Sequence, residues 1–184
     1  VKKALSLTST KNCVVKLILS RGNSQRGYSY PDDISPVRIV IVLELRNVQS
    51  KKSFSLEYAE SGYHSNPILA GIKHCNRIEQ IMARASLKRD EAIMLDENQN
   101  IISVTQGNIY FIFGQRLVTP RLDRCGVIGS RRSLILDLAE SLEMNVEQVN
   151  ISINEAKKAD EVFISNSIIG IQSVSSIEDY YLPK

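Results

Sequence analysis

Hydrophobic and polar positions first fall into short extended runs. Val14-Val15-Lys16-Leu17-Ile18-Leu19 is rich in β-branched and aliphatic residues and ends at Ser20-Arg21-Gly22. A polar stretch, Asn23 to Pro36, carries the turn formers Gly27, Pro31 and Asp32-Asp33. Val37-Arg38-Ile39-Val40-Ile41-Val42-Leu43 then predicts a strong, largely buried strand, and a further strand over Ser53–Tyr58 is expected to complete a small sheet. Residues 60–70 (ESGYHSNPILA) mix Gly, Ser, Asn and Pro without period and read as a crossover between lobes.

Past this crossover the period changes. Ile78, Ile81, Met82 and Ala85 stand at the offsets of one buried helix face, with Arg77, Glu79, Gln80 and Arg84 opposite. Strands are expected at Ala92–Leu95, Ile101–Thr105, Asn108–Phe113 and Leu117–Val118. A helix over Arg131–Leu142 should turn Leu134, Ile135, Leu138 and Leu142 inward. Strands at Val149–Ile153 and Glu161–Ser165 should flank a short helix near Glu155–Ala159. The pattern predicts an α+β protein with a small first lobe, residues 1–62, and a larger β-rich second lobe, residues 63–184.

Composition changes this picture little. A hydrophobic share of 43% and a charged share of 23% suit a globular protein, and the 184 residues suffice for one core or two lobes. The formal charge of +3 comes from interspersed Lys, Arg, Asp and Glu, which argues against a nucleic-acid partner. No apolar run approaches the roughly 20 residues of a membrane helix. Cys13, Cys75 and Cys125 are odd in number, scattered and free of CxxC spacing, so a reducing, cytoplasmic setting is expected. Cys75 reads as a small apolar filler. His64 and His74 are too isolated to suggest a metal site.

Candidate chemistry starts at Lys73. A lone lysine near a helix start is ordinarily a solvated charge. Here it follows Leu69-Ala70-Gly71-Ile72, small and apolar neighbours expected to desolvate an amine and keep it neutral, as a Schiff-base lysine requires. Gly126–Gly129 immediately precedes the 131–142 helix, where free N–H groups and the positive dipole end can hold a phosphate.

The run LAGIKHCNRIEQIMARA, residues 69–85, resembles the cofactor-lysine segment of the aminodeoxychorismate lyases, a branch of the fold-type IV, class IV aminotransferase family. Asn108-Ile109-Tyr110, Leu117–Asp123, Gly126–Gly129 and Arg132 follow the family's signature in order and spacing, as does Glu161–Ser167. The Ser20–Ser29 loop is similar to the lyases' substrate loop. The resemblance implies pyridoxal 5'-phosphate anchored on Lys73, with Val127, Ile128, Ser167 and Asn108 also at the cofactor. It implies Arg26, Tyr28 and Arg77 at a substrate with two carboxylates, for which arginine's planar fork is suited. The implied reaction releases 4-aminobenzoate and pyruvate from 4-amino-4-deoxychorismate, in a homodimer serving folate biosynthesis.

Two departures accompany the resemblance. The family glutamate that supports the pyridine nitrogen falls at Ser103, whose neutral hydroxyl should suit an aromatising elimination better than transamination. The chain also opens on Val1 and lacks a glycine-aspartate-glycine turn and a phosphate-binding arginine, so it is expected to be a fragment missing roughly 60–70 residues of the first lobe. The competing readings are an aminotransferase of the branched-chain or D-amino-acid type and a non-catalytic chain of the same fold.

Overall fold

The structure is a computed structural model that describes residues 1–9, 12–45 and 51–183. Two compact units divide at residue 49/50, Val1–Gln49 and Ser50–Lys184.

In the first unit a short helix α1 (Lys2–Leu5) precedes β1 (Cys13–Ser20) and β2 (Val37–Glu44), an antiparallel pair running from Cys13 opposite Glu44 to Ser20 opposite Val37. The expectation that residues 37–43 are largely buried fails, because Val37, Ile39 and Leu43 are all exposed. A two-stranded sheet has no second layer with which to bury its faces. In the connecting loop the Arg21 guanidinium lies 3.9 Å over the Tyr30 ring, a cation–π contact. Gly22 has φ +123°, and a side chain there would run into the Ser35 carbonyl.

The second unit contains, in chain order, β3 (Phe54–Tyr58), α2 (Ile78–Ala85), β4 (Glu91–Leu95), β5 (Asn100–Val104), β6 (Asn108–Phe113), β7 (Arg116–Pro120), α3 (Ser130–Ser141), β8 (Asn145–Val149), β9 (Ile151–Ser152), α4 (Ile153–Ala156), β10 (Glu161–Asn166), β11 (Gly170–Ile177) and β12 (Tyr180–Tyr181). Among the described residues its strands form one mixed sheet in the order β8-β7-β6-β10-β11-β3-β4-β5-β9, with β12 on β11. β3 thus pairs in parallel with β11 and β4 rather than completing the small sheet. β8 and β11 were not anticipated: β11 (GIQSVSSI) is polar at most positions, and β8 is partly exposed. The 149–153 strand is divided among the end of β8, β9 and the start of α4. Helix α4 begins two residues earlier than expected, under a Ser152–Glu155 capping box.

Period-two alternation on β6 organises the interior. Ile109 and Phe111, fully buried, join Leu56, Ile93, Ile101, Ile164 and Ile177 on one side of the sheet. Tyr110 points the other way, onto Ile135, Leu136 and Ala139 of α3. It stacks on Phe163 with centroids 4.5 Å apart, and its hydroxyl meets Ser165 Oγ at 2.9 Å.

Both major helices correct the expected faces. On α3, Arg132, Ile135, Leu136 and Ala139 face inward, while Leu134, Leu138 and Leu142 are exposed. Apolar residues lie on two sides of this helix, so its period left the buried side undecided. On α2 the expected face is inverted: Gln80 and Ala83 are buried, and Ile78, Ile81 and Met82 are 58%, 61% and 56% exposed. Small Ala83 packs with Tyr63, Met94 and Ile102, leaving the larger apolar stripe on the open side. No helix among the described residues is long and apolar enough to cross a membrane.

Candidate active site

The Lys73 segment and the Gly126–Gly129 loop are stitched together by backbone. Gly71 donates its N–H to the Gly126 carbonyl at 3.1 Å, and its own carbonyl accepts from Ile128 N–H at 3.0 Å. This parallel bridge between Gly71 and Val127 brings the lysine beside the glycine loop. Gly71 has φ +79°, and a Cβ there would press on Ile128 Cδ1 at 2.9 Å, so glycine is required twice over. The Ile128 N–H is thereby committed to the lysine segment.

Lys73 itself is exposed, and so are Leu69 and Ile72. Those neighbours do not desolvate it as expected. Cys75 is also exposed rather than a packed filler. His74 is half-buried, and its Nδ1 has no hydrogen-bond partner among the described residues.

Asn108 sits where β6 begins, buried, and its Nδ2 donates to the Val127 carbonyl at 2.9 Å. Ser165 on β10 pairs with Asn108 across the ladder, so exposed Ser167 lies just past that pair, at the same end of the sheet. Asn166 Oδ1 accepts from the Ile168 and Ile169 N–H groups and shapes this turn. Helix α3 starts at the loop's end with Gly129 as its N-cap, and no side chain among the described residues caps it. Its first-turn N–H groups remain available to an anion. Arg132, buried in that first turn, donates from Nη2 to the Pro120 carbonyl and to Gln148 Oε1, bracing the helix. Burial lowers its pKa.

Gly129 leaves room that any side chain would fill. A Cβ there would stand 2.5 Å from Asn108 Oδ1. Its backbone is ordinary, with φ −73°, so Gly129→Ala acts by displacing Asn108 from Val127. The expected result is about 10-fold weaker cofactor retention, for the loss of one buried hydrogen bond, read as the dissociation constant in equilibrium dialysis.

Arg77 is the N-cap of α2. Its Nε donates to the His74 carbonyl at 2.9 Å and its Nη2 to the Ile72 carbonyl at 3.0 Å. Both bonds go to backbone carbonyls of the lysine turn. Arg77, Tyr63, His74, Asn76 and Cys125 line a small cleft of about 170 Å³. Burial, with Asp96, Glu79 and Glu97 nearby, pushes the Cys125 thiol up to about 12, so it stays protonated at neutral pH.

Ser103 is buried on β5, donating to the Val104 carbonyl at 2.9 Å. The Tyr63 hydroxyl lies 3.0 Å from Ser103 Oγ. With the serine proton directed at Val104, Tyr63 is the donor in that second bond. Burial raises the Tyr63 pKa, so the pair is neutral. Tyr63 and Gly71 were missed in the sequence as members of this site. Only a glycine two residues before the lysine hinted at the bridge.

Arg26 and Tyr28 lie in the β1–β2 loop of the first unit, both exposed.

An exposed lysine beside the glycine loop, a helix start without a side-chain cap and a cradle kept open by Gly129 fit an aldehyde-bearing phosphate. The chain matches the model of the amino-transferase class IV family over residues 1–177 and belongs to that family. Pyridoxal phosphate is the cofactor of such enzymes and hence of this one. Among relatives, an aminodeoxychorismate lyase of Vibrio harveyi is 30% identical over 169 residues, which are 89% of this chain and 62% of that protein. The crystal structure of 4-amino-4-deoxychorismate lyase from Pseudomonas aeruginosa superposes with a TM-score of 0.89 at 33% identity, covering 92% of this chain and 65% of that one. An aminotransferase from Brucella abortus bound to pyridoxal phosphate shares the fold, with a TM-score of 0.82 at 15% identity over 98% of this chain and 66% of its own. The chain thus spans under two thirds of the length of these two lyases.

Proposed function

We propose that the intact protein is an aminodeoxychorismate lyase, releasing 4-aminobenzoate and pyruvate from 4-amino-4-deoxychorismate for folate biosynthesis. The observation that carries this reading is the Lys73-His74-Cys75-Asn76-Arg77 turn, bonded through Gly71 to the glycine loop. Identities of 30% and 33% to two lyases support it.

When bound, the cofactor supplies an electron sink for the substrate's amino-bearing carbon. Lys73 anchors it. The Val127 region, the start of α3 and Ser167 hold its phosphate, and Asn108 fixes the loop's shape through the Val127 carbonyl. Once released as a free amine, Lys73 Nζ takes the proton from substrate C4 as general base. The ring then becomes aromatic as the enolpyruvyl C–O bond breaks, and the three-carbon fragment leaves as enolpyruvate, which takes up a proton at its methylene carbon to become pyruvate. The reading assigns Arg26 to a substrate carboxylate and Tyr28 to the same substrate. The neutral Ser103–Tyr63 pair offers no carboxylate to a ring nitrogen, which suits a reaction driven by aromatisation. The same reading takes the protein to be a cytoplasmic homodimer.

The test supplies substrate to the holoenzyme without any keto acid. Pyruvate and 4-aminobenzoate should appear in equal amounts. A reaction that stops after one amino transfer, and resumes only when a keto acid is added, would establish an aminotransferase instead.

A further inference from the structure

Lys73 is the middle residue of a three-residue turn. The Ile72 carbonyl accepts the His74 N–H at 3.1 Å, closing the turn around the lysine. The same carbonyl accepts Arg77 Nη2 at 3.0 Å, and the His74 carbonyl accepts Arg77 Nε at 2.9 Å. One guanidinium therefore holds the peptide groups on both sides of Lys73. Immediately upstream, Gly71 is bound at both its N–H and its carbonyl to the 126–128 loop. The backbone is fixed before and after the lysine.

We infer that Arg77 is a positioning residue: it clamps the Lys73 turn and aims the amine at the cofactor, and it does not bind a substrate carboxylate. The inference rests on Lys73 being the cofactor anchor. Geometry favours the clamp over a carboxylate ligand because the Nε–Nη2 edge of the guanidinium, one of the edges that could grip a carboxylate, already meets carbonyls two residues apart. Arg77 is also rooted where such a clamp should be. As the N-cap of α2 it precedes Gln80 and Ala83, the buried residues that seat the helix beside β4. A rigid helix thereby transmits its position to the lysine. Lysine at 77 could not replace it, since a single ammonium lacks the planar fork needed to span both carbonyls.

The test compares Arg77→Met and Arg77→Lys with the unsubstituted holoenzyme. Four quantities are read: the rate at which the absorbance band of lysine-bound cofactor forms in apoprotein, hydrogen exchange at the His74 amide, kcat, and KM. Arg77→Met should slow band formation and lower kcat, each by about 10- to 100-fold, as expected for a misplaced reactive group. His74 exchange should rise, and KM should stay within about threefold because no substrate contact is lost. Arg77→Lys should recover only part of the band rate and of kcat. KM raised 10-fold or more with the band rate unchanged would overturn the inference and make Arg77 a substrate ligand. A lowered melting temperature with band rate and kcat intact would overturn it too, leaving Arg77 merely structural. Should Arg77→Met not fold, Arg77→Lys decides between the same outcomes. Whether Lys73→Ala removes the band reports separately on the anchor itself.

Discussion

Lys73→Ala should abolish the absorbance of lysine-bound cofactor and cut turnover by about 10³-fold or more, because under the proposed function one substitution removes both the covalent anchor and the general base. Stability should barely change. Lys73 is exposed, and substitutions at exposed positions usually stay within about 0.5 kcal/mol. Absorbance of the holoprotein, steady-state pyruvate release and the melting temperature check the three parts together. A variant that keeps the cofactor band would move the anchor to another lysine, whereas one that fails to fold would make residue 73 structural.

The largest loss of stability is expected at Phe111. It is fully buried at the centre of β6, opposite Val118 of β7 and Val162 of β10, and it packs in the same cluster as Leu56, Ile109 and Ile164. Phe111→Ala removes a large side chain from both the transfer and the cavity terms and should cost about 3–5 kcal/mol. In a domain of this size that lowers the melting temperature by roughly 10 °C. The effect should reach the site, since β6 also begins with Asn108, whose side chain holds the Val127 carbonyl. Cofactor retention should therefore weaken alongside stability. A loss below about 1 kcal/mol would show that the sheet does not pack around β6.

The parts of the fold that were legible are those where one segment's own pattern is decisive. Asn108–Phe113 is a strand in the structure with the boundaries read from sequence, because a run buried on both faces is apolar almost throughout. The segments that hold the candidate site were legible as motif blocks. Lys73, Asn108 and the Gly126–Gly129 loop do come together, joined by the Gly71 bridge and the Asn108–Val127 hydrogen bond.

What stayed hidden depends on partners distant in sequence. The period of α2 shows that it is amphipathic, but Tyr63, Met94 and Ile102 decide that Ala83 and Gln80 turn inward. Likewise β3 resembles any short strand until β11, more than a hundred residues later, pairs with it. Nor did residue type alone disclose that Ile128 spends its N–H on Gly71 or that Arg77 grips two carbonyls. An arginine near a cofactor lysine suggests an anionic ligand, and only its hydrogen bonds show it engaged with backbone.

The central claim is that Lys73 carries the cofactor, and peptide mapping tests it most directly. The holoprotein is treated with borohydride to make the lysine linkage permanent, digested, and read by mass spectrometry. The pyridoxyl group should lie on Lys73 alone. Modification of another lysine with Lys73 untouched would contradict the account.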